Sequence, residues 1–402
     1  MISIKGKNLN PLNILNFATF FQYQRFVMPI SFLFYMHNGL GFSDYIFCQS
    51  MYNATCLIAK FSLGFIGDIF PKKFIIIFAY LLFLLRVLLW INFSGFAVIL
   101  AGEILYGLFK AFYKGNVDSY IYEYLQSKGA SKEMINRYGK LSFCNSIGSA
   151  ISCFVGVILY KYFGFKTLLY LELITQIISV ACLLLLPNTQ NTNEHKIKPT
   201  YYIKSIFKNL QAVLTNCKVS YYVFYSAILS GLTSVFVWNF QPLLKLSSAP
   251  IFLYGVVNFI NQILRAAGGL KAKEIVKKIS NINLVRIEYF AVILSFILLL
   301  AGYLIKNYIF IFISLLIICC AIFMFVVFSV FTVSKIHEYT YDYNRATTAS
   351  VNTFVEDFLS VFLLLGFKFL YDKVGFAHSI TIFIVIMMII LFPRINRLQK
   401  AG

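Results

Sequence analysis

Gly64-Phe65-Ile66-Gly67-Asp68-Ile69-Phe70-Pro71-Lys72-Lys73 is a charged loop set between two apolar runs. Residues 44–66 and 74–92 are each long enough to cross the ~30 Å of a bilayer's hydrocarbon as a helix. A loop this short folds the two helices back on each other as an antiparallel hairpin. The pair Lys72-Lys73 predicts that its tip is cytoplasmic, because cation-rich loops stay on that side of a membrane.

Composition agrees with this reading. The chain has 402 residues, 60% hydrophobic and 12% charged, whereas soluble domains carry about 25% charged residues. Apolar stretches of membrane-spanning length recur, and the ten-residue alternation of a β-barrel is not visible. Twelve helical spans are expected, centred near residues 24, 56, 83, 109, 150, 176, 228, 260, 295, 320, 358 and 385. With the amino terminus inside, 23 of the 35 Lys and Arg fall in cytoplasmic loops and tails. Only Lys161, Lys166, Lys245, Lys306, Lys368 and Lys373 fall on the outer side. That asymmetry places both termini in the cytoplasm and accounts for most of the net charge of +20, so no nucleic-acid partner is needed. The cysteines lie mostly within spans, without metal-ligand spacing, and read as small apolar residues. No cleavable signal peptide is expected, since Lys5 and Lys7 precede a first span without a small-residue cleavage site.

The loop resembles the signature of the major facilitator superfamily at Gly64, Asp68, Lys72 and Lys73, and departs from it at Ile69 and Pro71. A shift of 205 residues supplies a second, independent sign. Asn53, Lys60 and Gly64 become Asn258, Arg265 and Gly269, and Lys72-Lys73 becomes Lys277-Lys278, while Asp68 becomes Lys273. Two six-helix bundles related as repeats are therefore expected: residues 1–187 and 218–402, joined by a polar, basic cytoplasmic linker at 188–217. Asp118, Ser119, Tyr122 and Glu123 at the end of span four, and Arg345-Ala346-Thr347 before span eleven, are similar to an efflux-like branch of that superfamily. Where that branch writes an acid in span two, this chain has Lys60. In the family's fold the loop aspartate sits by the start of span eleven, so the resemblance implies that Asp68 latches near Thr347–Ser350 and gates the cytoplasmic side.

The charges at membrane depth are the candidate site residues, since each is costly in lipid and belongs inside the protein or in a wet cavity. Span one, read as one helix over 12–36, carries Gln22, Arg25 and Pro29 on one face. Arg86 in span three is expected to snorkel to the interface. On span four Glu103, Gly107, Lys110, Lys114 and Asp118 fall within about 80° of one another and form a charged ladder. It reads either as internal ion pairs or as a cavity wall. Ser142, Ser146, Ser149, Cys153 and Gly156 form a small-residue packing seam on span five. Glu172 on span six is expected at the interface, and Glu356 and Asp357 are taken as the only deep acids of the second half.

These residues predict secondary active transport by alternating access. Arg25, Asn53, Lys60, Lys110, Lys114, Asn258 and Arg265 are the candidate substrate-binding residues, and their cations suit an anionic or zwitterionic solute. Glu103, Asp118, Glu356 and Asp357 are the candidate proton carriers, because a buried acid can be loaded and emptied as a cavity alternates. Proton-driven export of hydrophobic compounds is the alternative, drawn from the branch resemblance. His37, His195, His337 and His378 lie far apart in sequence, and no phosphate-binding glycine loop is present, so no enzyme, metal or cofactor is expected. The expected partners are the solute, protons and the bilayer, around a monomer. The bias towards Lys, Ile, Asn and Phe fits an AT-rich bacterial genome and an inner-membrane location.

Overall fold

A computed structural model describes residues 3–4, 7–8, 10–63, 70–130, 133–188, 211, 215, 217–279, 281–339 and 345–401. Gly64, Asp68 and most of residues 188–217 lie outside the described residues, and so do the side chains of Lys277 and Thr347–Ser350. The helices are α1 (Pro11–Gln22), α2 (Ser31–His37), α3 (Phe42–Leu63), α4 (Lys72–Asn92), α5 (Phe96–Ser127), α6 (Met134–Leu184), α7 (Cys217–Leu246), α8 (Phe252–Lys278), α9 (Asn281–Ile305), α10 (Tyr308–Tyr339) and α11 (Arg345–Ala401). A two-stranded antiparallel hairpin, β1 (Ser3–Ile4) and β2 (Lys7–Asn8), precedes them.

α6 and α11 each hold two spans, bent at Gly164 (φ 72°) and Gly375 (φ 77°). Both glycines adopt the left-handed region that a Cβ disfavours, which lets one chain cross, turn and return without a loop. Counting α1 with α2 as one span gives the twelve spans of the major facilitator fold in two pseudo-symmetric bundles. Among the described residues, six stretches are long and apolar enough to cross a membrane without help, with Tyr308–Phe328 the most apolar at a mean hydropathy of 3.2. α3 and α8, where the 205-residue repeat places its amides and cations, are not among them.

The chain divides into a first unit, Met1–Leu40 with Met51–Ile203, and a second, Gly41–Ser50 with Lys204–Gly402. The same pairings build each. In the first, α4 packs on α5 and α1 on α6; in the second, α9 packs on α10 and α7 on α11. The first unit's core is largely aromatic, with Tyr80, Phe83, Phe109 and Tyr120 fully buried between α4 and α5.

Span one departs from the expected single helix. α1 stops at Gln22, residues 23–27 are not helical, and a 3₁₀ turn, Met28–Ile30, leads into α2. Pro29 sits in that turn, where it has no N–H to offer an α-helical ladder. The seam on α6 makes room for this irregular chain. A Cβ on Gly148 would lie 2.3 Å from the Phe20 carbonyl oxygen, and one on Gly156 would lie 2.4 Å from that of Phe26. Ser146, Ser149 and Cys153 are buried along the same seam, as the packing reading expects.

Candidate functional site

Non-helical backbone at membrane depth needs polar partners, because lipid supplies none. Here α6 supplies one: the Val27 N–H donates to Glu172 Oε2 at 3.4 Å. Gln176, one turn further, donates from Nε2 to the Gln22 carbonyl at 3.2 Å, and Ser179 Oγ donates to the Ala18 carbonyl at 2.9 Å. Glu172 is therefore not interfacial but 2% exposed, and its acid is used to hold the break in span one.

Arg86 is also corrected. It does not snorkel. Its NH2 lies 3.0 Å from Glu103 Oε1 and its NH1 3.9 Å from Glu172 Oε1, with all three residues buried. Its guanidinium stands 3.8 Å from the centroid of the Trp90 ring, and the Tyr35 hydroxyl donates to the same Glu103 oxygen at 2.8 Å. Residue spacing along one helix could not show this. Arg86, Glu103 and Glu172 come from three different spans, and a salt bridge between spans leaves no periodic trace.

Next to that network Arg25 projects from the break. Its NH2 donates to Gln22 Oε1 at 3.2 Å and its NH1 donates to the Tyr106 hydroxyl. The rings of Tyr23 and Tyr106 stand 4.8 and 4.7 Å from the guanidinium carbon, a cation–π cage that offsets part of its burial. Tyr106 stacks on Tyr52 of α3 with ring centroids 4.7 Å apart and planes 15° from parallel. The Tyr52 hydroxyl in turn accepts from Lys110 Nζ. Gly107 permits this stack, since a Cβ there would lie 2.6 Å from the Tyr52 carbonyl oxygen. A relay Arg25–Tyr106–Tyr52–Lys110 thus runs from the buried break to an exposed cation.

Of the other candidates, Lys114 is exposed, while Asp118, Asn53 and Lys60 are half-buried. The ladder on α5 is therefore divided, with Glu103 drawn into the buried network and Lys110 and Lys114 exposed. In the second unit Asn258 is buried and spends its Nδ2 on the Tyr254 carbonyl at 2.9 Å, and Arg265 is exposed with Nε 3.3 Å from Asn261 Oδ1. Glu356 accepts from Ser226 Oγ at 2.6 Å, and Asp357 is half-buried beside it. Glu356 and Asp357 are not the only deep acids of that half. Glu288 on α9 is fully buried, and among the described residues neither of its carboxyl oxygens has a hydrogen-bond partner. Its place seven residues into a helix that begins just after Lys277-Lys278 lets it pass for a loop-end charge in the sequence. Lys72 is buried, and Lys73 Nζ caps the end of α6 at the Leu184 carbonyl, 2.9 Å away.

The fold is shared with known carriers. The nucleoside transporter NupG superposes with a TM-score of 0.76 at 14% identity, covering 96% of this chain and 98% of that one. A POT family transporter in complex with a thioalcohol-conjugated peptide gives 0.72 at 13% identity, covering 96% of each chain. The human organic anion transporter MFSD10 gives 0.61 at 13% identity, covering 94% of this chain and 97% of that one. No curated protein matches by sequence. The model of the Major Facilitator Superfamily matches residues 15–365. With two equivalent bundles, a broken first span and charged residues held at membrane depth, the chain belongs to that superfamily and is a transporter of the secondary kind.

Proposed function

We propose that this transporter moves a small anionic or zwitterionic organic solute by alternating access, with protons as the coupling ion. The Arg25–Tyr106–Tyr52–Lys110 relay carries the reading. Arginine and lysine side chains donate only. Each donates to a phenol oxygen, which favours a phenol proton given elsewhere, and the surface is weighted towards donors and positive charge on a flat aromatic wall. A carboxylate or phosphate complements such a surface with acceptors. The buried network supports this: Glu103 and Glu172 are held by Arg86, while the exposed Lys110 and Lys114 stand on the same helix as the half-buried Asp118. We add Arg265, Asn53 and Asn258 as further binding residues.

Similar folds handle nucleosides, peptides and organic anions, so the fold does not select among substrates. Proton coupling rests on Asp118, Glu356, Asp357 and Glu288 rather than on Glu103, whose charge is held by Arg86 and Tyr35. Export of hydrophobic compounds is less well supported, because Lys60 stands where the efflux-like branch has an acid. Counterflow in proteoliposomes tests the choice. Preloaded organic anions should drive saturable exchange that Lys110→Gln weakens, while exchange of neutral hydrophobic compounds alone would reverse the reading.

A further inference from the structure

α9 buries one stripe and exposes the other. Glu288, Val292, Phe296 and Leu299 recur at helical spacing and are fully buried, while Ile287, Phe290, Leu294 and Ile297 are exposed. The buried stripe is the one that packs, chiefly on α10 and next on α11. An acid thus stands where the helix pattern calls for an apolar side chain.

Its surroundings offer it nothing. Among the described residues, Glu288 alone has both carboxyl oxygens buried without a hydrogen-bond partner. The buried hydroxyls of Ser295 on α9 and Ser314 on α10 donate instead to the Ala291 and Ser295 carbonyls, each at 2.7 Å. Between Tyr308 and Phe328 α10 carries no charged side chain, and between Val223 and Leu246 α7 carries only Lys245, near its far end. α11 brings two further acids, Glu356 and Asp357. Its Lys368 is taken by Asp372 at 2.7 Å, its Lys373 lies over the Phe369 ring, and its exposed His378 sits at the Val374 carbonyl. Tyr225 on α7 and Cys319 on α10 are the other buried titratable groups on these helices, and neither bonds to Glu288. Arg286 is two residues away on α9, about 200° around the helix and so on nearly the opposite side. The buried acids of the first unit differ, since Glu103 and Glu172 both face Arg86.

A carboxylate with no cation, donor or water costs far more to bury than the neutral acid does. The carboxyl therefore stands there with its proton on. We infer that Glu288 is an occluded proton site: in this conformation it holds a proton that solvent does not reach, and it releases that proton only when α9 parts from the helices packed on it. On release the O–H bond breaks, the electron pair stays on the carboxylate, and the proton passes to the water admitted. The inference deepens the proton coupling proposed above and rests on it for the proton's use, though not for its presence.

Infrared spectra of the purified protein in liposomes test it. A protonated carboxyl whose carbonyl accepts no hydrogen bond absorbs at the high-frequency end of the acid range, clear of the amide bands. One such band is expected. After transfer to D2O it should shift about tenfold or more slowly than in the unfolded protein, as protection by burial requires. Glu288→Gln should abolish the band, Glu288→Asp should move it within the acid range, and Glu356→Gln should leave it. If the glutamine variant does not fold, the aspartate variant and the exchange rate of the unaltered protein still decide. Absence of the band, its loss in Glu356→Gln, or exchange as fast as in the unfolded protein overturns the inference. A band that behaves as expected, beside gradient-driven uptake that survives Glu288→Gln, upholds the occluded proton and removes only the coupling reading at this residue.

Discussion

The two units share a scaffold and differ in chemistry. Span one of the first unit is broken at residues 23–27, whereas its counterpart α7 runs unbroken from Cys217 to Leu246 even though Pro242 lies within it. The first unit holds the break with Glu172 and fills the space beneath it with Arg25, Arg86 and Glu103. Among the described residues, the second leaves the buried Glu288 carboxyl with no hydrogen-bond partner and sets Ser226 Oγ against Glu356. Pseudo-symmetry thus fixes where helices cross, but not where polar groups gather. The backbone of one unit can be irregular because its neighbours carry acids, and that irregular backbone is what aims a guanidinium at a tyrosine.

The largest effect that tests this contrast is on stability. Arg86→Leu leaves two acids buried without their cation and is expected to cost about 3–5 kcal/mol, the range for breaking a buried ion pair from one side. Thermal unfolding of the purified protein reads it. Glu356→Gln in the second unit, which keeps an oxygen to accept from Ser226 Oγ and removes a half-buried charge, should cost only about 1 kcal/mol. If the two variants melt alike, the first unit does not depend on its charges in the way described.

A smaller effect is expected on recognition. Lys110→Gln should raise the half-saturating solute concentration in counterflow about tenfold or more, the worth of a charge-assisted hydrogen bond. An equal loss in Arg265→Gln would show that the second unit contributes as much to anion recognition, and no loss in either would end the anion reading. Coupling gives a change of kind rather than size. Glu288→Gln is expected to keep counterflow and lose uptake driven by a pH gradient, because glutamine copies the shape of a protonated acid and cannot release a proton. Gradient-driven uptake that survives this change removes Glu288 from the coupling set.

A last contrast, again on stability, concerns two glycines. Gly156→Ala presses a methyl into the Phe26 carbonyl and should cost about 1–3 kcal/mol by overpacking. Gly366 on α11 has nothing within 4 Å of an added Cβ, so Gly366→Ala should be neutral or gain up to about 1 kcal/mol from helix propensity. A matching loss at both positions would mean that the seam on α6 is no tighter than the matching stretch of α11.

How far the site could be read from the sequence varied with the kind of signal. The ladder on α5 was legible because residues on one helix face repeat at fixed spacing, and Lys110, Lys114 and Asp118 do share a face with Glu103. Arg86 and Glu172 were misjudged because each lies near the end of an apolar run, where a long charged side chain ordinarily reaches water. Their burial comes from partners on other spans. Tyr52 and Tyr106 went unremarked among the 27 tyrosines, since nothing local separates a phenol that bridges two cations from one packed in a core.

By itself the sequence determined that this chain crosses a membrane, that it does so in two similar halves, and which superfamily it resembles. Those properties rest on hydropathy, loop charge and repetition, all of which are written along the chain in order. Only the tertiary structure decided that span one is broken, and which charges are buried against partners and which are exposed. Each of these turns on groups far apart in sequence meeting across helices. In an apolar medium such meetings determine whether a charge can be buried at all.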